Sequence, residues 1–144
     1  MLSWGLTVVL AAIAGLHFYW AFGGLWPCDD ERSLVRTVIG HADRKRMPPF
    51  WMTIVVAVML AAMTSWPLVL AGLAWAIVGL PLMIAGSAIL TALFLTRGVA
   101  GYVPAWRRLY PVQPFARLDR TLYSPLCLVP GTGFLALTLK QGGI

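Results

Sequence analysis

"MPPFWMTIVVAVMLAAMTSWPLVLAGLAWAIVGLPLMIAGSAILTALFLT", residues 47–96, runs for 50 residues without one Asp, Glu, Lys or Arg. A helix crossing the hydrocarbon core of a bilayer needs about 20 apolar residues. This stretch therefore holds two such helices and the turn between them. Working outward, residues 1–28 are also uncharged and hold one more helix, and residues 121–139 supply a fourth. Composition agrees, with 60% of the 144 residues apolar and only 11% charged, against about 25% charged in a soluble domain. The expected fold is all-α: an integral membrane four-helix bundle with helices at about 3–25, 50–66, 72–96 and 117–139, forming a single transmembrane domain over 1–144.

Breaker residues set the expected boundaries. Gly23-Gly24 and Trp26-Pro27 end the first helix, Pro48-Pro49 precede the second, and Trp66-Pro67 marks the turn after it. Pro81 falls inside the third helix, where a missing N–H predicts a kink. Gly79, Ala85, Gly86, Ser87 and Ala88 on that helix are small enough for close contact with a neighbour in lipid. Ser124-Pro125 reads as an N-cap followed by a first-turn proline. Yet Ser124 to Leu139 is only 16 residues, about 24 Å of helix and short for a bilayer. The last helix is therefore expected to begin earlier, near Phe115 to Arg120, and to kink at Pro125. A short interfacial helix is expected near 29–39, capped by Asp29 to Glu31 and ended by Gly40. Its stripe of Leu34, Val35, Val38 and Ile39 suits the membrane surface.

A net charge of +6 invites a nucleic-acid reading, but the positions of the charges argue against one. Arg32, Arg36, Arg44, Lys45 and Arg46 lie between helices one and two, and Arg97, Arg107, Arg108, Arg117 and Arg120 between three and four. Ten of the eleven basic residues thus fall on one side, leaving only Lys140. The positive-inside rule makes that side cytoplasmic. The expected setting is the bacterial cytoplasmic (inner) membrane, with loops 27–49 and 97–116 inside and both termini opposite. The expected partners are the lipid bilayer and anionic head groups, not nucleic acid. No cleaved signal peptide is expected, because no Lys or Arg precedes Arg32 and more membrane sequence follows. Cys28 and Cys127 form no C-x-x-C pair and read as free thiols.

Ionisable groups at membrane depth are costly and mark candidate sites. His17 lies toward the basic side of helix one, with Trp20 on its face. It reads either as a neutral histidine donating to a neighbouring helix or as a binding or proton-transfer group. No cofactor is expected: haem would need a second axial ligand, and His41 lies in a charged loop away from His17. No metal site is expected either. Arg97 ends the third helix, as a snorkelling side chain or an anion contact, with Tyr102 nearby. Asp119 is the only acid in the second half and is expected to pair with the arginines around it, Arg117, Arg120, Arg107 and Arg108. Tyr123 lies one turn beyond Asp119, and Ser124 lacks the nucleophile elbow of a hydrolase. There is no glycine-rich phosphate loop, no intramembrane carboxylate of a proton-driven antiporter and no internal repeat.

Three stretches carry a resemblance: "HFYWAFGGLWP" (17–27), "LTRGVAGYVPAWRRLYPVQPF" (95–115) and "FARLDRTLYSPLCLVPGTGF" (115–134). Together they resemble the small bacterial membrane proteins grouped as domain of unknown function 3995. The family pattern falls on His17, Tyr19, Trp20, Ala21, Gly23 and Gly24, on Arg97, and on Phe115, Leu118, Asp119 and Tyr123 through Cys127. Many members carry an acid just after that arginine, and Gly98 to Tyr102 contain none. The resemblance implies an architecture and a residue shortlist but no reaction. In an antiparallel bundle His17, Trp20, Arg97, Tyr102, Asp119, Tyr123 and Ser124 all come to the basic side. The expected function is to bind a small amphipathic or lipid-like ligand in a cytoplasm-facing intramembrane pocket. The alternatives are a membrane-embedded enzyme acting on a lipid, with His17 or Asp119 as acid/base, or a structural accessory subunit.

Overall fold

The computed structural model describes residues 1–73 and 79–141. Among these, four helices are long and apolar enough to cross a membrane: Leu2–Ala21, Phe50–Leu70, Leu80–Ala100 and Phe115–Gln141. Helix α1 (Leu2–Ala21) packs against α3 (Phe50–Met63), which continues as α4 (Trp66–Leu70). Helix α5 (Leu80–Ala100) packs along α8 (Ser124–Gln141). The described residues contain no strand, and the all-α bundle is as expected.

The core is where the two helix pairs meet. Leu6 and Leu10 of α1, Leu70 of α4, Met83, Leu90 and Phe94 of α5, and Phe134 and Leu137 of α8 form one buried cluster. Phe134 is fully enclosed and stacks on Phe94, ring centres 6.1 Å apart. Val8, Val58, Leu82, Ile89 and Leu93 instead point outward and are more than half exposed. An apolar exterior of this kind is what lipid requires and what water penalises.

Helix ends follow local backbone chemistry. Helix α1 stops at Ala21, four residues before the expected end, because Gly23 takes a left-handed conformation (φ 85°). Gly23 N–H donates to Trp20 O at 3.0 Å and Gly24 N–H to Tyr19 O at 2.9 Å, the paired bonds that satisfy a helix's last carbonyls. The break between α3 and α4 falls just before Trp66-Pro67, where Thr64 O accepts from the Thr7 hydroxyl of α1 at 2.9 Å. Trp66 then ties α4 to α5, its Nε1–H donating to Ser87 Oγ at 2.9 Å.

Two proline expectations are corrected. Pro81 does not kink the third helix. It sits in the first turn of α5, where its missing N–H has no helical partner to lose. Residues 74–78 of the helix expected at 72–96 lie outside the described residues. Ser124 is not an N-cap, because α7 (Phe115–Leu118) and a π-helical turn (Asp119–Tyr123) lead straight into α8. In that turn Ser124 N–H reaches back five residues to Asp119 O. The next donor would be Pro125, which has none, so Arg120 O loses its backbone partner. Tyr102 Oη–H supplies the missing bond at 3.0 Å.

The 22–49 and 101–114 connections meet at one end of the bundle. Helix α2 (Glu31–Val38) is capped by Asp30, whose Oδ1 accepts from Ser33 N–H at 2.9 Å. The Ser33 hydroxyl and N–H hold the Asp30 carboxyl below the usual carboxylate range. The cap is therefore complete at neutral pH and is lost only as pH falls through that lowered value. Leu34 and Val35, expected to face lipid, are buried instead, with α2 packed on α7. Phe115 fills the space over Gly40, and Tyr123 Oη–H donates to Thr37 O at 3.0 Å.

Glycines set how closely α5 and α8 approach. A Cβ on Gly98 would stand 2.7 Å from Leu128 Cδ2 and 3.1 Å from its backbone N, and one on Gly131 would stand 2.7 Å from Leu95 Cδ2 and 3.0 Å from its N. Gly98→Val or Gly131→Val is expected to force the pair apart at a cost of about 1–3 kcal/mol, read as a lower unfolding midpoint in detergent. Gly15, with open space around its Cβ position, is the control. Gly15→Ala should leave the midpoint unchanged or raise it by the equivalent of about 0.5–1 kcal/mol, and a drop as large as that of the interface variants would refute the packing argument.

Candidate functional site

The expected site residues fall into two groups at the same end of the bundle. The first centres on Asp119, which is 3% exposed. Its Oδ1 accepts from Arg97 Nη2 at 2.6 Å and its Oδ2 from Trp106 Nε1 at 3.0 Å. The Arg97 guanidinium also lies over the Trp106 ring, 5.1 Å from its centre, adding a cation–π contact. One carboxylate thereby joins α5, the last helix and α6 (Pro104–Leu109). The partner is Arg97 and not the arginines nearer in sequence, because the π turn directs Asp119 into the bundle while Arg117 and Arg120 stay exposed.

Gly101 is the close-approach point of this group. A Cβ there would collide with Ser124 Oγ and stand 2.9 Å from Asp119 Oδ2. Ser124 is fully buried, and its Oγ and Arg97 Nη1 have no hydrogen-bond partner among the described residues. Tyr102 joins through the Arg120 carbonyl and Tyr123 through the Thr37 carbonyl. Each Asp119 oxygen accepts one of these bonds, and at 3% exposure the carboxylate is closed off from solvent.

The second group is His17 with Trp20. They border a cavity of about 250 Å³ whose other walls include Val38 of α2, Ile39 just beyond it, and Met52 and Val56 of α3. His17 Nδ1 lies 2.8 Å from Ile13 O of its own helix, not of a neighbour. A carbonyl only accepts, so Nδ1 carries the proton and Nε2 of the neutral ring is an acceptor. Among the described residues no hydrogen bond reaches Nε2. Trp20 Nε1–H is taken by Trp26 O at 2.7 Å, and its ring packs edge-on to His17 at 5.3 Å. Ile39, Met47, Pro48 and Met52 are shared with a wider basin of about 910 Å³, which Arg44, Lys45 and Arg46 line together with His41 and Asp43. None of Arg97, Tyr102, Asp119, Tyr123 or Ser124 borders the His17 cavity.

Trp106 was not among the expected site residues, although it holds Asp119 and carries Arg97. In "PAWRRLY" it reads as one more interfacial aromatic, and no spacing rule connects it to a carboxylate thirteen residues away. The cavity walls from Met47 to Val56 were missed too, since single apolar residues carry no signal of a void. Among the described residues no three His, Cys, Asp or Glu side chains come together as metal ligands.

These features define a class: a multi-pass helical membrane protein whose polar side chains gather at one end of the bundle. The chain belongs to the family described as protein of unknown function DUF3995, which matches residues 10–134. That span contains all three motif stretches, so the resemblance drawn from them is borne out. No curated protein and no solved structure matches the chain.

The Arg97–Asp119 pair has unequal members. Asp119 is almost fully enclosed, whereas the Arg97 side chain is 31% exposed. Arg97→Ala strands a buried anion and is expected to cost about 3–5 kcal/mol. Asp119→Ala leaves a cation that can reach polar surroundings, and should cost clearly less. Because the residues touch, the double variant should lose less than the two single losses added together. Equal and additive losses in detergent unfolding would show that the pair does not hold this end of the bundle.

Proposed function

We propose that this protein of the bacterial cytoplasmic membrane binds an amphipathic, lipid-like molecule, with the His17 cavity taking its apolar part. The observation carrying this reading is an apolar cavity that holds one unpaired imidazole nitrogen and shares a wall with a basic basin. At about 250 Å³, roughly eight water volumes of about 30 Å³ each, it suits a segment of acyl chain or a small ring. It does not suit a whole lipid. With Nδ1 donating to Ile13 O, Nε2 accepts a hydroxyl or amide proton from the ligand. The head then lies over Met47 and Pro48 toward Arg44, Lys45 and Arg46. The charge distribution supports orienting this end toward the cytoplasm, since ten of eleven basic side chains lie there.

Native mass spectrometry of gently purified protein tests the reading. A stoichiometric amphipathic molecule should be retained by the wild type. Met52→Trp, which fills the cavity from its wall, should abolish retention while helix content is kept. His17→Ala, which removes the acceptor but keeps the cavity, should weaken retention by roughly tenfold, the worth of one hydrogen bond to a desolvated partner. A wild type that is consistently empty, or retention that Met52→Trp leaves intact, would remove the proposal.

A further inference from the structure

A second basin at the same end is bordered by four arginines and no acid. Arg107 and Arg108 of α6 face Arg117 and Arg120 of the last helix across about 730 Å³, with Pro104, Pro111 and Gln113 completing the walls. All four arginines are exposed, and among the described residues none makes an ion pair. Asp119 holds Arg97 and Trp106, Asp30 caps α2, Glu31 accepts from Met47 N–H at 2.9 Å, and neither these three nor Asp29 or Asp43 borders the basin. Guanidinium groups stay charged at any physiological pH. Four of them around one depression repel each other unless an anion is shared between them.

The arrangement is fixed before any ligand arrives. Trp106, held by Asp119, immediately precedes Arg107 and Arg108, while Arg117 and Arg120 flank Asp119 on the helix. Tyr110 packs on Trp106 with ring centres 4.4 Å apart and continues to Phe115 at 5.9 Å. Tyr102 holds the Arg120 carbonyl. Both basin walls are therefore referenced to one buried carboxylate. Arginine without lysine favours a planar, two-pronged grip on phosphoryl oxygens over a diffuse attraction.

We propose that this basin binds a phosphoryl anion bearing at least two negative charges, presented either by a lipid head group or by a soluble phosphate compound. The site is separate from the His17 cavity and does not depend on it. Two arms separate the sources. In the first, protein in zwitterionic nanodiscs is titrated with inorganic pyrophosphate. In the second, native mass spectrometry compares retention of phosphatidic acid with that of phosphatidylcholine.

Saturable pyrophosphate binding assigns the site to soluble phosphates, and selective retention of phosphatidic acid assigns it to lipid head groups. In either arm Arg107→Ala with Arg108→Ala, or Arg117→Ala with Arg120→Ala, should weaken binding roughly tenfold or more. Arg107→Lys with Arg108→Lys should weaken it as well, because the charge stays but the forked geometry goes. Arg32→Ala with Arg36→Ala, on exposed positions of α2 outside the basin, should change little. Absence of binding in both arms overturns the proposal. So does a loss from the α2 pair equal to that from the basin pairs, which would reveal only general attraction to a basic surface. Met52→Trp should leave basin binding unchanged, so the two proposals fail separately.

Discussion

The Asp119 carboxylate is the constraint on which the basic end depends. A charge enclosed at the edge of the hydrocarbon region is tolerated only with a counter-charge and donors to its lone pairs. Arg97 and Trp106 satisfy both needs from two different elements. That requirement brings the end of α5, the start of the last helix and the intervening α6 to one point. Gly101 is there because any side chain would occupy the space of Ser124 Oγ. Replacing this polar junction by apolar residues would suit the membrane, but nothing would then hold α6 in one orientation.

Backbone accounting explains the unusual turn that aims Asp119 inward. A proline at position 125 removes one donor from a continuous helix, and its ring crowds the preceding turn. Widening that turn to five-residue bonds accommodates the ring but leaves the Arg120 carbonyl without a backbone partner. The Tyr102 hydroxyl, arriving from the far end of α5, completes the set. Side chain, wide turn and proline therefore form one unit. This gives Pro125, the wide turn that begins at Asp119 and the distant Tyr102 a shared physical reason.

How much of this was legible in the sequence depends on the range of each interaction. The four spans were legible because lipid imposes a long, local, one-dimensional signal: runs without charge. The cap at Asp30 and the stop at Gly40 were legible for the same reason, each being decided within five residues. Pro81 misled because its effect depends on whether it stands in the first turn or the interior, and composition around it is uniformly apolar. The Asp119 pairing was legible in kind but not in partner. Four arginines lie closer in sequence than Arg97, and only the wide turn selects among them. The separation of His17 from Asp119 depends on how the two helix pairs are set side by side, and depth along the bundle alone says nothing about that. Leu34 and Val35 show the same limit, since an apolar stripe needs an apolar partner but does not specify lipid or protein.

The contrast between the two ends of the bundle restricts where any chemistry can occur. At the far end the described residues offer Lys140, Gln141, a few hydroxyls and apolar side chains, and the exposed large side chains of the spanning helices are mainly apolar. The basic end holds all five acids and ten of eleven basic residues. Asp30, Glu31 and Asp119 are used in a cap and in junctions, while Asp29 and Asp43 stay exposed, so the open charged groups at this end are mostly cationic. The four-arginine basin, which no carboxylate borders, has the chemistry to hold an anion. The two basins and the apolar cavity all lie at this one end. Asp119 ties together the elements that carry the arginines of one basin, and so fixes their separation.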